Sequence, residues 1–192
     1  MNYPNGMKRK HVVTSSNESF SNRGMSLEED INLTNAYYLE RNIAIIHKKP
    51  TPVQIVNVNY PRRSAAVITE AYFQQASTTD YNGLYKHKHI DFEAKQTKNK
   101  TSFPLANFHE HQVHHMESIV KHGGICFIII RFTRYRETYL LPATYLIDFW
   151  YAQHNGGRKS IPYNEIKKNG QLIPFKYQAR VDYLEVVEML YF

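Results

Sequence analysis

One cysteine, Cys126, stands in 192 residues, so the chain can form no internal disulfide framework and a reducing, cytoplasmic setting is expected. It sits in the apolar run I-C-F-I-I-I at 125–130, where a buried strand residue is expected rather than a nucleophile. No apolar run approaches the ~20 residues of a spanning helix, so no membrane span is expected. The basic residues near the N-terminus have no hydrophobic stretch behind them, so no secretory signal is expected. No internal repeat is found.

What the chain has in excess is positive charge and aromatic rings. A net charge of +7 and a pI near 9.3 ask for a polyanionic partner, nucleic acid or an acidic membrane surface. Fifteen tyrosines and ten phenylalanines mixed with Lys and Arg suit base or sugar contacts, although core packing claims most such rings in any domain. At this length a single domain is the default.

The stretch 78–95 carries the chemistry. Asp80 is followed after a twelve-residue gap by Glu93, a spacer and Lys95, the D…ExK pattern of a metal-dependent nuclease. Asn82-Gly83 reads as a hairpin turn. Beyond it His89, Asp91, Glu93 and Lys95 alternate with Ile90, Phe92 and Ala94, which predicts a strand with one polar and one apolar face. Glu93 and Lys95 then share a face about 7 Å apart, with Asp80 arriving from the preceding strand or turn. Two carboxylates and an ammonium facing one point can hold a divalent cation and handle a water beside a phosphate. The same alternation also fits a solvated strand face.

Around this stretch the elements alternate, predicting an α/β domain with a mixed sheet. Residues 1–22 read as a disordered basic arm. Ser26 and Glu29 form a capping box for a helix to about residue 41, with Leu27, Ile31 and Tyr38 on its buried stripe and Leu33, Ala36 and Tyr37 widening it. Glu28, in its first turn, favours the helix dipole in any protein and could also reach the metal site. Residues 43–47 are expected as a buried strand, with 53–58 a second strand. Residues 59–76 hold neither period; a long segment before a catalytic strand is often functional, and an ordinary amphipathic helix packed on the domain is the alternative. After Lys95 the polar loop with Lys98 and Lys100 is placed for phosphates. A helix over 105–122 closes at Gly123-Gly124. Strands at 125–130 and 138–142, joined by a basic turn over 131–136, precede helices at 143–153 and 181–190, with turns at 155–157 and 169–170.

The histidines His109, His111, His114, His115 and His122 invite a zinc reading, since His111 and His115 are one helical turn apart. But His109-Glu110 is followed by Val113 where a zincin needs its second ligand. Gln112 falls on the buried stripe, where a polar group needs a partner: a water or ligand of the metal, or backbone.

Several longer motifs go further: N-R-G-M-S-L-E at 22–28, H-K-K-P-T-P-V-Q-I-V at 47–56, S-T-T-D-Y-N-G at 77–83, I-D-F-E-A-K at 90–95, T-K-N-K-T-S-F-P-L at 97–105 and H-Q-V-H-H-M at 111–116. Together they resemble the RecU family, Holliday junction resolvases of low-GC Gram-positive bacteria, from about residue 22 to the C-terminus. The resemblance implies a restriction-endonuclease-like mixed β-sheet flanked by helices, with a protruding stalk over 59–76. It implies a Mg²⁺-dependent homodimer that cuts four-way junction DNA by paired symmetric nicks during homologous recombination, DNA repair and chromosome segregation. Matched by motif, the metal positions fall on Thr78, Asp80, Glu93 and Gln112, the transition-state lysine on Lys95, and the N-terminal-helix glutamate on Glu28. The stalk match gives Arg62, Arg63, Tyr72 and Phe73 a role in DNA binding. Modulation of RecA and contact with the branch-migration machinery are implied as well. A non-catalytic DNA-binding accessory protein modulating RecA is the alternative, and the intact D…ExK set speaks against it. Against the family pattern, a shorter and less patterned N-terminal arm and no acidic tail are expected.

Overall fold

The apolar run 125–130 and the alternating run 89–95 lie side by side as parallel strands in the middle of a six-stranded sheet. A computed structural model gives the structure, describing residues 26–62, 65–74 and 78–192. The basic arm and Arg63 lie outside them. In chain order, α1 (Leu27–Glu40) leads to β1 (Ile45–Lys48), β2 (Val53–Asn59), β3 (Val67–Phe73), β4 (Tyr81–Tyr85) and β5 (Lys88–Thr97). Then come β6 (Ser102–Pro104), α2 (Glu110–Lys121), β7 (Ile125–Phe132), β8 (Glu137–Pro142) and α3 (Ala143–His154). The chain ends with β9 (Ser160–Pro162), α4 (Tyr163–Asn169), β10 (Gln171–Leu172) and α5 (Tyr183–Tyr191).

The main sheet runs β1-β4-β5-β7-β8-β10, parallel between β5 and β7 and antiparallel elsewhere. This is the mixed α/β class that the sequence predicts. Because side chains alternate along a strand, β7 sends Phe127 and Ile129 to one face and Cys126, Ile128 and Ile130 to the other. The first face packs with Ile90 and Phe92 of β5 against Leu27, Ile31 and Tyr38 of α1 and Tyr183 and Val187 of α5. The second packs against Val113 and Met116 of α2, Leu146 of α3 and Ile166 of α4. Both neighbours of β5 are strands, so the strand carrying Glu93 is held along both edges.

Several expectations are corrected. Asn82-Gly83 is not a turn but the middle of β4. Gly83 pairs with Ile46, and a Cβ on it would stand 2.0 Å from the Ile45 carbonyl oxygen, so close strand approach requires the glycine. The turn is at Lys86 and His87, both with positive φ (44° and 65°), the twist that a two-residue hairpin needs. Strand β1 lies on the sheet edge with only Ile46 of its four residues buried. The strand expected over 53–58 does not join the main sheet; β2 pairs with β3 alone, so the hairpin begins before residue 59. The helix expected over 105–122 splits into a 3-10 turn, Leu105–Asn107, and α2, with Phe108 extended between them. Gly123 and Gly124 donate to the Val120 and Ile119 carbonyls, the Schellman closure. Arg131 lies within β7 and pairs with Asp30 at 2.6 Å, so the turn begins after Phe132.

On α1 the capping box is formed. Leu27, Ile31 and Tyr38 are buried, but Leu33 and Ala36 are exposed, and Asp30, Thr34 and Asn35 are buried instead. Their oxygens are partnered. Asp30 takes Arg131, the Thr34 hydroxyl donates to the Asp30 carbonyl, and Tyr183 donates to Asn35. The Asn35 amide nitrogen is buried with no partner among the described residues, and hydrophobic periodicity cannot see a stripe built from polar groups.

Candidate active site

Strand β5 sends Asp91, Glu93 and Lys95 to the face covered by α2, opposite Ile90 and Phe92. Phe92 is stacked between Tyr81 and Phe127 at 4.8 and 4.9 Å between ring centres, so the far side of the strand is fixed by close-packed rings. Glu93 is fully buried. Its Oε2 accepts from the Asp80 backbone N–H at 2.9 Å, its Oε1 accepts from the Gln112 side-chain amide at 2.9 Å, and the Lys95 ammonium stands 2.6 Å from Oε1. A carboxylate has about four acceptor positions, so these three donors leave one open. Burial pushes the Glu93 carboxyl up to about 7; Lys95 pulls it down and the neighbouring Asp80 raises it.

Asp80, Glu93, Lys95 and Gln112 therefore come together. The carboxylate of Asp80 accepts no hydrogen bond among the described residues, while its backbone is tied at both ends, by N–H to Glu93 and by C=O to the Lys49 N–H at 2.8 Å. Gln112 is used from both ends as well. Its amide holds Glu93, and its oxygen accepts from the His109 N–H in a capping box at the start of α2. In this geometry it orients the carboxylate. Thr78 lies two residues before Asp80, half-buried, its hydroxyl 3.4 Å from the Thr79 carbonyl.

Glu28 is placed differently. It pairs with Lys48 at 2.5 Å, and Lys48 lies opposite Tyr81 across the β1–β4 ladder. Facing residues of an antiparallel pair project to one side, so this ion pair lies on the α1 side while Glu93 faces α2. On the α1 side the Tyr81 hydroxyl donates to Asn32 Oδ1 at 3.1 Å, and its ionisation is disfavoured by burial first and then by Glu28, Asp80 and Glu93.

Among the residues expected to touch DNA, Lys98 and Lys100 are exposed on the loop leaving β5, at the end where Lys95 is a quarter exposed against the fully buried Glu93. Arg62 is exposed beyond the end of β2. Tyr72 and Phe73 stand on β3, with Phe73 84% exposed. The hairpin leaves Val53, Ile55, Val56, Val67 and Ile68 exposed too. The histidines of α2 do not converge: His111 stacks on His109, whereas His115 turns inward to Asp91.

The acidic pair suits a hard divalent cation. Among the described residues no three His, Cys, Asp or Glu side chains form a metal-holding group. A cation here would draw on Asp80, the open position on Glu93 and neutral oxygens, with water completing the shell, as Mg²⁺ prefers.

Sequence reasoning gave Asp91, Thr79 and Lys49 no role in the site and weighed His115 only as a zinc ligand; the four cluster beside Glu93 under α2. The available signal was the period-two alternation, which puts Asp91 next to Glu93 on the same face.

A profile of the family described as Recombination protein U, RecU, matches residues 22–189. A protein of Oceanobacillus iheyensis named Holliday junction resolvase RecU is 67% identical over the whole length of both chains. Proteins of the same name from Geobacillus kaustophilus and Bacillus mycoides are 62% and 57% identical, over 100% and 99% of this chain and 92% and 98% of their own.

Proposed function

The chain belongs to the RecU family, and from that premise we infer that it is a Holliday junction resolvase, an endonuclease acting on four-way junctions in DNA recombination. The observation that carries the chemistry is the fully buried Glu93, gripped by the Asp80 N–H, Gln112 and Lys95, beside an Asp80 carboxylate that accepts no hydrogen bond among the described residues. We propose Asp80 and Glu93 as the ligands of Mg²⁺, with Thr78 and Gln112 completing or orienting the set. A bound Mg²⁺ would supply Lewis-acid polarisation of the scissile phosphate and a water of lowered pKa.

The rest of the chemistry falls to the chain itself. Gln112 and the Asp80 N–H hold Glu93 in one orientation, so little reorganisation is needed when the phosphate arrives. Lys95 sits at the open end of the site, where a fixed positive charge stabilises the negative charge that builds on the phosphoryl oxygens. Lys98 and Lys100 follow directly and would guide the backbone of the cut strand. Glu28, paired to Lys48, would tune the rim of the site. Nicking should leave a 5′-phosphate and a 3′-hydroxyl.

Junction choice is assigned to the β2–β3 hairpin. Two strands with apolar side chains bare on both faces have no core of their own, and exposed rings such as Tyr72 and Phe73 suit stacking on unpaired bases at a junction centre. Arg62 and Arg63 would add phosphate contacts. The active form is proposed as a two-fold homodimer that offers one site to each of two symmetry-related strands. A cytoplasmic location, a role in DNA repair and chromosome segregation, and contacts with RecA and the branch-migration machinery complete the proposal.

The test is cleavage of an end-labelled synthetic four-way junction, with and without Mg²⁺, beside linear duplex of the same sequence. Paired symmetric nicks on the junction, only with the metal, are expected. Tight junction binding with no cleavage in Mg²⁺ would instead establish a non-catalytic accessory protein.

A further inference from the structure

Asp91 is the second buried carboxylate of β5 and has no part in the chemistry above. It is 1% exposed, between Asn82 of β4 and Cys126 of β7. A charge so placed is costly unless its surroundings are built for it. They are. Thr79 donates its hydroxyl to Asp91 Oδ1, and the Lys49 ammonium reaches Oδ2 at 3.0 Å and Thr79 Oγ1 at 3.1 Å. His115 and His89 stand on the remaining sides at 3.3 and 3.5 Å, although the buried His115 Nε2 makes no hydrogen bond among the described residues.

What this cluster holds is the segment next to it in sequence. Thr79 immediately precedes Asp80. Lys49 is anchored by its ammonium to Asp91, and its own backbone N–H grips the Asp80 carbonyl at 2.8 Å. The N–H of Asp80 then points to Glu93 Oε2. Residues 78–80 belong to no strand or helix; the Lys49–Asp80 bond carries the β1–β4 register one residue past the ladder, and the side-chain contacts of Thr79 fix the path from there. Helix α2 spans both levels, with Gln112 on Glu93 and His115 one turn on, beside Asp91.

We propose that Asp91, Thr79 and Lys49 form a positioning unit that sets the Asp80 carboxylate against Glu93 for the divalent cation. The inference rests on the reading of Asp80 and Glu93 as the metal-binding pair. Asp91 itself touches neither metal nor phosphate in this scheme; it acts through Thr79 and Lys49. Partners of this kind typically alter metal affinity or activity by about 10- to 100-fold when removed.

The test uses Asp91→Asn, Thr79→Val, Thr79→Ser and, in parallel, Asp80→Asn in the full chain. Mn²⁺ binding to the DNA-free protein is followed by the electron paramagnetic resonance of free Mn²⁺, and cleavage is measured against Mg²⁺ concentration. Junction affinity in EDTA and the thermal transition report on folding. Asp91→Asn and Thr79→Val are expected to weaken Mn²⁺ binding by about tenfold or more and to raise the half-activating Mg²⁺ concentration in step. Junction affinity in EDTA should stay within about twofold, and Thr79→Ser, which keeps the hydroxyl, should restore metal binding. If Asp91→Asn does not fold, Thr79→Val against Thr79→Ser decides alone. Unchanged Mn²⁺ affinity in the folded variants, or equal damage from Val and Ser, overturns the proposal. An Asp80→Asn protein that binds Mn²⁺ and cuts normally overturns the metal-pair reading and this inference with it; loss in Asp80→Asn alone overturns only the inference.

Discussion

Strand β5 and the β2–β3 hairpin are both ribbons of alternating side chains, yet they end in opposite environments. On β5 every side chain from Ile90 to Glu93 is buried, with strands on both edges and a helix on each face. On the hairpin none of the described residues of β2 or β3 is buried. The first gives fixed geometry, which a phosphoryl-transfer site needs. The second gives accessible apolar surface, which a fold normally hides and a substrate can cover. Cutting and choosing are thus placed in different parts of one chain.

The widest separation comes from the site. Glu93→Ala or Lys95→Ala should lower junction cleavage by about a thousandfold or more, in the upper range for losing a preorganised charge. Junction affinity, measured by gel shift, should remain nearly intact. Equal loss of binding would merge the two regions and break the comparison.

Gly83→Ala probes the rigid side through packing. The new methyl would meet the Ile45 carbonyl at 2.0 Å and Ile46 Cα at 2.6 Å, both backbone atoms that cannot turn aside. A loss of about 3 kcal/mol is expected from denaturant unfolding, the upper range for overpacking. Phe73→Ala, on the bare hairpin, should change the same measurement by no more than about 0.5 kcal/mol.

Glu93 also predicts a pH dependence confined to the buried region. Its carboxyl is raised from 4.5 to about 7, by burial above all, so between these values the folded chain keeps a proton that the unfolded chain releases. The contribution to stability is full below 4.5 and is lost as pH rises towards 7. The thermal transition of the metal-free protein should therefore fall across this window, and Glu93→Gln should flatten that part of the fall. Divalent metal must displace the same proton, so its affinity should drop by about tenfold for each pH unit below 7. Calorimetric scans and metal titrations at stepped pH check both.

The smallest effect belongs to the hairpin. Phe73→Ala should weaken four-way junction binding by about tenfold, within the range of one stacked base, and duplex binding by less. An identical loss on both substrates would deny the hairpin its part in selection.

How much of this was legible depends on what each region hides. The alternation at 89–95 announced β5 and put Glu93 beside Lys95, because a two-sided strand writes its pattern in polarity. The Asn-Gly pair misled. It is a strong turn signal, but Gly83 serves the close approach of β1, and the true turn uses Lys86 and His87, whose side chains do not advertise positive φ. The pattern at 53–58 correctly indicated a strand but could not say that nothing covers it. The Asp91 cluster was visible as alternation and silent as a unit, since Lys49, Thr79 and His115 come from three other segments and only the fold assembles them.

The most direct test of the division is a single-turnover cleavage rate, measured with enzyme saturating over the same labelled junction for wild type, Lys95→Ala and Phe73→Ala. The account predicts that Phe73→Ala recovers the wild-type rate once binding is saturated, while Lys95→Ala remains inactive at any enzyme concentration. A Lys95→Ala protein that regains cleavage at saturation, or a Phe73→Ala protein that stays slow there, would contradict it.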